Sequence, residues 1–285
     1  MAGNLLAHGI AVFGVDTDPA RLEAFAGAGG TPSALAEIAS HTRCIITSLP
    51  SYAAASAVLG DGSQLYMAAG RGTVVIETST LALVEKGELS RSCAARGVSL
   101  LDCPLSGTAH QAASADLVAY MSGDDAEAKR MALRPLSAFT REVVDLGTFG
   151  NGTVTKLIAN HLVAVHNVAA AEALNLADAA GLDLDMVLDA VSRGAGSSRM
   201  LQVRGPLMVA ESYVPAGMRV DLFLKDLALI SSLARDAAVS TPLLDATHAL
   251  YRLASASGHD ADDTACAFTV MRELRRLGSS ADDGS

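Results

Sequence analysis

GNGTVTKLIANH, residues 150–161, divides the chain. A glycine turn runs into a long, nearly uncharged segment rich in Ala, Leu and Val. Lys156 sits in the expected first helical turn, where the positive end of the macrodipole disfavours a cation. Ahead of this stretch, short β-branched runs alternate with helical patterns: IAVFGVD (10–16), CIITSLP (44–50), TVVIETST (73–80), VSLLDCPLSG (98–107), VAYMSG (118–123) and EVVDLG (142–147). Apolar runs separated by amphipathic helices predict a largely parallel sheet covered on both faces. Behind it the strand signals stop. A helix is predicted over about 153–180, a second after a cap at Asp183, and further helices near 218–238, 241–256 and 262–277. The expected domains are 1–152, α/β, and 153–285, all-α.

Composition narrows the function. At 285 residues the chain can bury two cores, and with half its residues hydrophobic and 18% charged it is not a disordered sequence. A net charge of −10 gives no basic footprint for nucleic acid or an anionic membrane surface, so small molecules are the expected partners. The longest apolar stretch, Leu157–Ala171, is broken by Asn160, His161, His166 and Asn167, which argues against a bilayer span. Cys44, Cys93, Cys103 and Cys266 form no CxxC pair, and no signal segment opens the chain, so reduced cytoplasmic thiols are expected. No spacing suits a metal. The length and apolarity of the 153–180 helix predict a homodimer or homotetramer.

Two motifs carry the chemistry. LDCPLSG (101–107) followed by GNGTVTKLIANH resembles the β-hydroxyacid dehydrogenase family, which includes 3-hydroxyisobutyrate, tartronate semialdehyde and L-threonate dehydrogenases. Its members carry D-x-P-x-S-G-G and G-x-G-x-x-x-K-x-x-N-N. Asp102, Pro104, Ser106 and Gly107 match the first, and Gly150, Gly152, Lys156 and Asn160 the second. LP at 49–50, ST at 79–80, LKDLAL at 224–229 and GHDADDTA at 258–265 extend the likeness over nearly the whole chain. Thr108 departs from the second glycine of the first motif, HQAASAD (110–116) lacks the glycines that usually follow, and Ala159 replaces the first asparagine. These departures point to an atypical substrate.

The resemblance implies a Rossmann-type first domain followed by a helical substrate and dimerisation domain. It also implies NAD as cofactor and a small carboxylate substrate, a hydroxy acid or its aldehyde or keto form. Lys156 and Asn160 lie four apart and project from one helical face. Desolvation and the helix dipole both disfavour a buried ammonium there, which suits a general acid–base group. The resemblance gives Lys156 that role and Asn160 the substrate oxygen. Ser106, Gly107 and Thr108 are expected to bind the substrate carboxylate, and Leu49, Pro50, Thr80 and Lys225 to lie at the cofactor. Read as an ordinary helix residue, Lys225 pairs with Asp221. His110 reads as loop, and Cys103 as a packed thiol.

Asp16, closing the first run, is expected to accept hydrogen bonds from the adenosine ribose, and VDTDP holds no Arg or Lys to receive a 2′-phosphate. The GxGxxG turn that normally precedes such an aspartate is not in the sequence. If Met1–His8 ends the first helix, a strand and glycine turn belong before Met1, and weak cofactor binding is expected. Two alternatives follow: a non-catalytic dimeric remnant, and an imine reductase-like enzyme, against which Lys156 argues.

Overall fold

A computed structural model describes residues 1–282. It contains two compact units that divide between Lys156 and Leu157. The first holds helices α1 (Ala2–Ala7), α2 (Pro19–Gly27), α3 (Ile38–His41), α4 (Tyr52–Leu59), α5 (Gln64–Ala68), α6 (Leu83–Ala95), α7 (Ala109–Ala113) and α8 (Ala126–Ser137). Its strands are β1 (Phe13–Gly14), β2 (Thr31–Pro32), β3 (Cys44–Thr47), β4 (Val74–Glu77), β5 (Ser99–Asp102), β6 (Leu105–Ser106), β7 (Leu117–Met121) and β8 (Thr140–Asp145). The second unit continues α9 (Asn151–Ala179) and adds α10 (Leu184–Ser192), α11 (Arg199–Val209), α12 (Val220–Asp236), α13 (Pro242–Ala256) and α14 (Ala267–Asp282). An α/β unit followed by a helical one is the order that the sequence patterns predict.

β3, β4 and β5 form a parallel sheet in simple register, with Glu77 directly opposite Asp102. All four residues of β4 are buried. Val74 and Ile76 join one core with Leu101, Met121 and Phe139; Val75 turns to the other with Ile45, Leu59, Leu89 and Leu100. The period of two divides a continuous apolar run between two covered faces. β5 is stitched to β7 through the Asp102–Ser122 bridge, and β7 pairs antiparallel with β6 and parallel with β8. β1 pairs only with the short β2, in a separate two-stranded sheet.

Local signals misjudged several elements. The run 10–16 yields only two strand residues, and β2 is too short to leave a periodic trace. HQAASAD is not an open loop: Thr108 caps α7, with Gln111 completing a capping box, and His110 lies exposed on that helix. α11 gave no helical signal because Gly205 and Pro206 interrupt it, both poor helix formers. Asp183 does cap α10, accepting from the Met186 amide. Asp221 pairs with Arg219 at 2.5 Å rather than with Lys225, because it lies at the helix start, where the guanidinium of the N-cap residue two positions earlier reaches it.

α9 is long and apolar enough to cross a membrane by length and composition alone. Two of its buried polar residues belong to a helical core. Asn167 donates to Thr264 Oγ1 at 3.1 Å and Asn175 to the Phe268 carbonyl at 2.9 Å, beside an apolar cluster that includes Leu174, Phe223, Leu227, Tyr251 and Phe268.

Candidate active site

Both glycines of GNG have a backbone reason. Gly150 stands at φ +97°, a conformation that side chains disfavour. Gly152 lets the start of α9 press on the strands, since a Cβ there would lie 2.4 Å from the Tyr120 carbonyl oxygen and 2.9 Å from that of Asp102. The glycine turn is thus a condition for docking the α9 N-terminus against β5 and β7.

The two motifs meet through Asp102. Its Oδ2 accepts from the Thr153 amide and its Oδ1 from Thr153 Oγ1, each at 2.7 Å, while Ser122 Oγ accepts from the Gly152 amide at 3.0 Å. A carboxylate from β5 therefore caps α9 from outside the helix, satisfying first-turn donors and offsetting the macrodipole. α9 begins at Asn151, so Lys156 falls in the second turn rather than the first, beyond the strongest part of the dipole field. That resolves the awkward placement of its charge.

Behind Asp102 lies an ionic cluster that sequence reasoning missed. Lys86, fully buried on α6, places Nζ 2.8 Å from Asp102 Oδ1 and 2.7 Å from Glu77 Oε2, the latter contact an ion pair without hydrogen-bond alignment. Glu77 and Asp102 are fully buried as well. Burial alone disfavours the Lys86 ammonium, but attraction to Asp102 and Glu77 outweighs it and raises its pKa above the usual value. Glu77 Oε1 in turn accepts from the Ser79 amide at 2.9 Å, and Ser79 Oγ accepts from the Leu49 amide at 2.8 Å. The only sequence trace of Lys86 is a charged helix, VEKGEL, which reads as a solvated face.

Lys156 and Asn160 are both buried and share one face of α9. In the helical unit Asn160 Nδ2 donates to Asp226 Oδ2 at 2.8 Å, and Lys225 Nζ lies 3.4 Å from Asp226 Oδ1. Asp226 was not foreseen; its trace is its place in LKDLAL beside Lys225. Leu49, Pro50 and Thr80 lie at the carboxyl ends of the parallel strands β3 and β4, where nucleotide ligands bind in open α/β sheets. Ser106 is half-buried at the end of β6 and Gly107 is exposed after it. The Thr108 hydroxyl is occupied by the α7 cap. Burial pushes the Cys103 thiol up to about 12, which makes it inert. Asp16 is exposed and accepts from the Asp18 amide, and Arg21 approaches it to 3.9 Å. Although VDTDP itself holds no cation, the first turn of α2 brings one to it.

Residues 1–147 match the family described as the NAD binding domain of 6-phosphogluconate dehydrogenase. Residues 150–270 match the NAD-binding domain of NADP-dependent 3-hydroxyisobutyrate dehydrogenase. The chain belongs to the β-hydroxyacid dehydrogenase family. Among its relatives, the L-threonate dehydrogenase of Cupriavidus necator is 34% identical over 98% of this chain and 94% of its own length. The NAD-dependent L-serine dehydrogenase of Pseudomonas aeruginosa is 30% identical over 96% and 93%. The crystal structure of 3-hydroxyisobutyrate dehydrogenase from Salmonella typhimurium superposes with a TM-score of 0.84 at 29% identity, covering 94% of each chain.

Proposed function

We propose that this family member is an NAD-dependent dehydrogenase of a short hydroxy acid, with Lys156 as its general acid–base group. One observation carries the proposal: Asp102 of the first motif caps the helix on which Lys156 of the second stands, so both motifs form one built unit. Residues 1–152 hold the dinucleotide, and 153–285 supply substrate contacts and a subunit interface. The exposed Asp16 carboxylate suits ribose hydroxyls, and the strand-end loops at Leu49–Pro50 and Thr80 suit the rest of the cofactor. When bound, the nicotinamide supplies the hydride acceptor or donor.

Lys156 takes the substrate hydroxyl proton during oxidation and returns it during reduction. Asn160, its amide fixed by Asp226, holds the reacting oxygen. Ser106 offers a hydroxyl and Gly107 a backbone N–H to the substrate carboxylate, whereas the Thr108 amide and hydroxyl are both taken up by the α7 capping box. Lys225 is assigned to cofactor binding. Short polar hydroxy acids such as L-threonate and L-serine, named for the relatives, are the first substrates to assay.

α9 and α10 leave Leu176 72% and Met186 59% exposed, apolar surface suited to a second copy in a homodimer or homotetramer. The setting is cytoplasmic, in keeping with cysteines that are all free thiols. The decisive variant is Lys156→Ala. It is expected to lower kcat by about 10²–10⁴-fold with cofactor affinity preserved; near wild-type kcat refutes the acid–base role.

A further inference from the structure

Glu77 and Asp102 stand directly opposite each other on β4 and β5, both completely buried. Two carboxylates buried side by side call for a cation between them. Asp102 accepts from Thr153 N, Thr153 Oγ1 and Lys86 Nζ, and the Ser122 hydroxyl, shared with the Asp102 carbonyl oxygen, lies at 3.2 Å. The Lys86 ammonium lies within 2.8 Å of both acids.

We infer that Lys86 is a positioning residue for catalysis: by pairing with Asp102 it fixes the start of the helix that carries Lys156. The same ammonium reaches Glu77, whose other oxygen holds the Ser79 amide and, through the Ser79 hydroxyl, the Leu49 amide. One side chain thus links the strand-end loops assigned to the cofactor with the base of the helix assigned to proton transfer. The chain of contacts runs Leu49, Ser79, Glu77, Lys86, Asp102, Thr153. Nothing in it touches the reacting atoms, so its effect is on geometry. A proton-transfer group must sit within hydrogen-bond reach of its substrate atom, and rate falls steeply when that distance drifts.

The inference rests on the acid–base role of Lys156, and the test separates the two. Lys86→Met alone leaves two uncompensated buried carboxylates and endangers the fold. The double variant K86M/E77Q removes one positive and one negative charge and keeps the cluster's net charge. T153V cuts the chain at its far end while retaining the amide that caps to Asp102. The assay uses whichever of L-threonate and L-serine turns over faster, unlabelled and deuterated at the carbon that yields hydride, on protein shown to be folded by circular dichroism.

Both variants are expected to lower kcat about tenfold with substrate KM within twofold, and to raise the deuterium isotope effect as the chemical step becomes limiting. Combined, they are expected to cost little more than either alone, because both cut one chain. T153V alone decides the matter if K86M/E77Q does not fold. Wild-type kcat in folded T153V, or additive losses in the combined variant, overturns the inference. If Lys156→Ala destroys turnover while these variants do not, only the role of Lys86 falls; if Lys156→Ala retains turnover, both readings fall.

Discussion

Gly152→Ala tests the docking of α9 with a single methyl group. An added Cβ would lie 2.4 Å from the Tyr120 carbonyl oxygen, about 1 Å inside the 3.4 Å at which ordinary contact begins, and 2.9 Å from the Asp102 carbonyl oxygen. Both obstacles are backbone atoms of the sheet region, so no flexible side chain can swing away and the helix start must move instead. Such overpacking costs about 1–3 kcal/mol, which lowers Tm by on the order of 5 °C in a chain of this size. Lys156 stands four residues further along the displaced helix. A shift of about 1 Å in a catalytic group is worth roughly 100-fold in rate, so kcat is expected to fall far more than the stability loss accounts for at 25 °C. Scanning calorimetry reads the first effect and steady-state kinetics the second. Gly3→Ala is the control, because Gly3 lies on α1 with nothing within 4 Å of its added Cβ. If Gly152→Ala matches wild type in both Tm and kcat, the close approach of α9 to the strands does not set the geometry of Lys156.

NAD is expected to give a higher kcat/KM than NADP, since Asp16 repels a 2′-phosphate; Asp16→Ala, which releases Arg21 from its 3.9 Å contact, is expected to move the ratio toward NADP, and steady-state kinetics with both cofactors show whether it does. Sedimentation equilibrium is expected to give a dimer or tetramer mass, and a monomer at micromolar concentration would contradict the assignment of the exposed Leu176 and Met186 surface to a second copy.

Much of this protein is written in local sequence. Alternating apolar runs and helical segments gave the α/β order of the first unit, because burial on two faces demands such runs regardless of what covers them. The α9 helix and the Asp183 cap were equally legible, since capping and helical periodicity act within a few residues. The motifs, through their spacing and order, named Lys156, Asn160 and Ser106 as the residues to examine. The capping box at Thr108 and Gln111 was also present locally, though His110 between them read as loop.

What tertiary structure alone decided are pairings between residues distant in the chain. Lys86 looks like one charge among several on a surface helix until the fold buries it between Glu77 and Asp102, 9 positions before it and 16 after. Asp102 reads as a motif residue of unstated purpose until β5 brings it to the amide of Thr153, 51 residues on. The same holds for Asp226 on Asn160, 66 residues away. Periodicity and capping report how each segment meets an averaged environment of core or solvent. A buried charge depends instead on which individual partners lie within about 3 Å, because desolvation makes the unpaired state prohibitive, and that distance is fixed only when the strands and helices have packed.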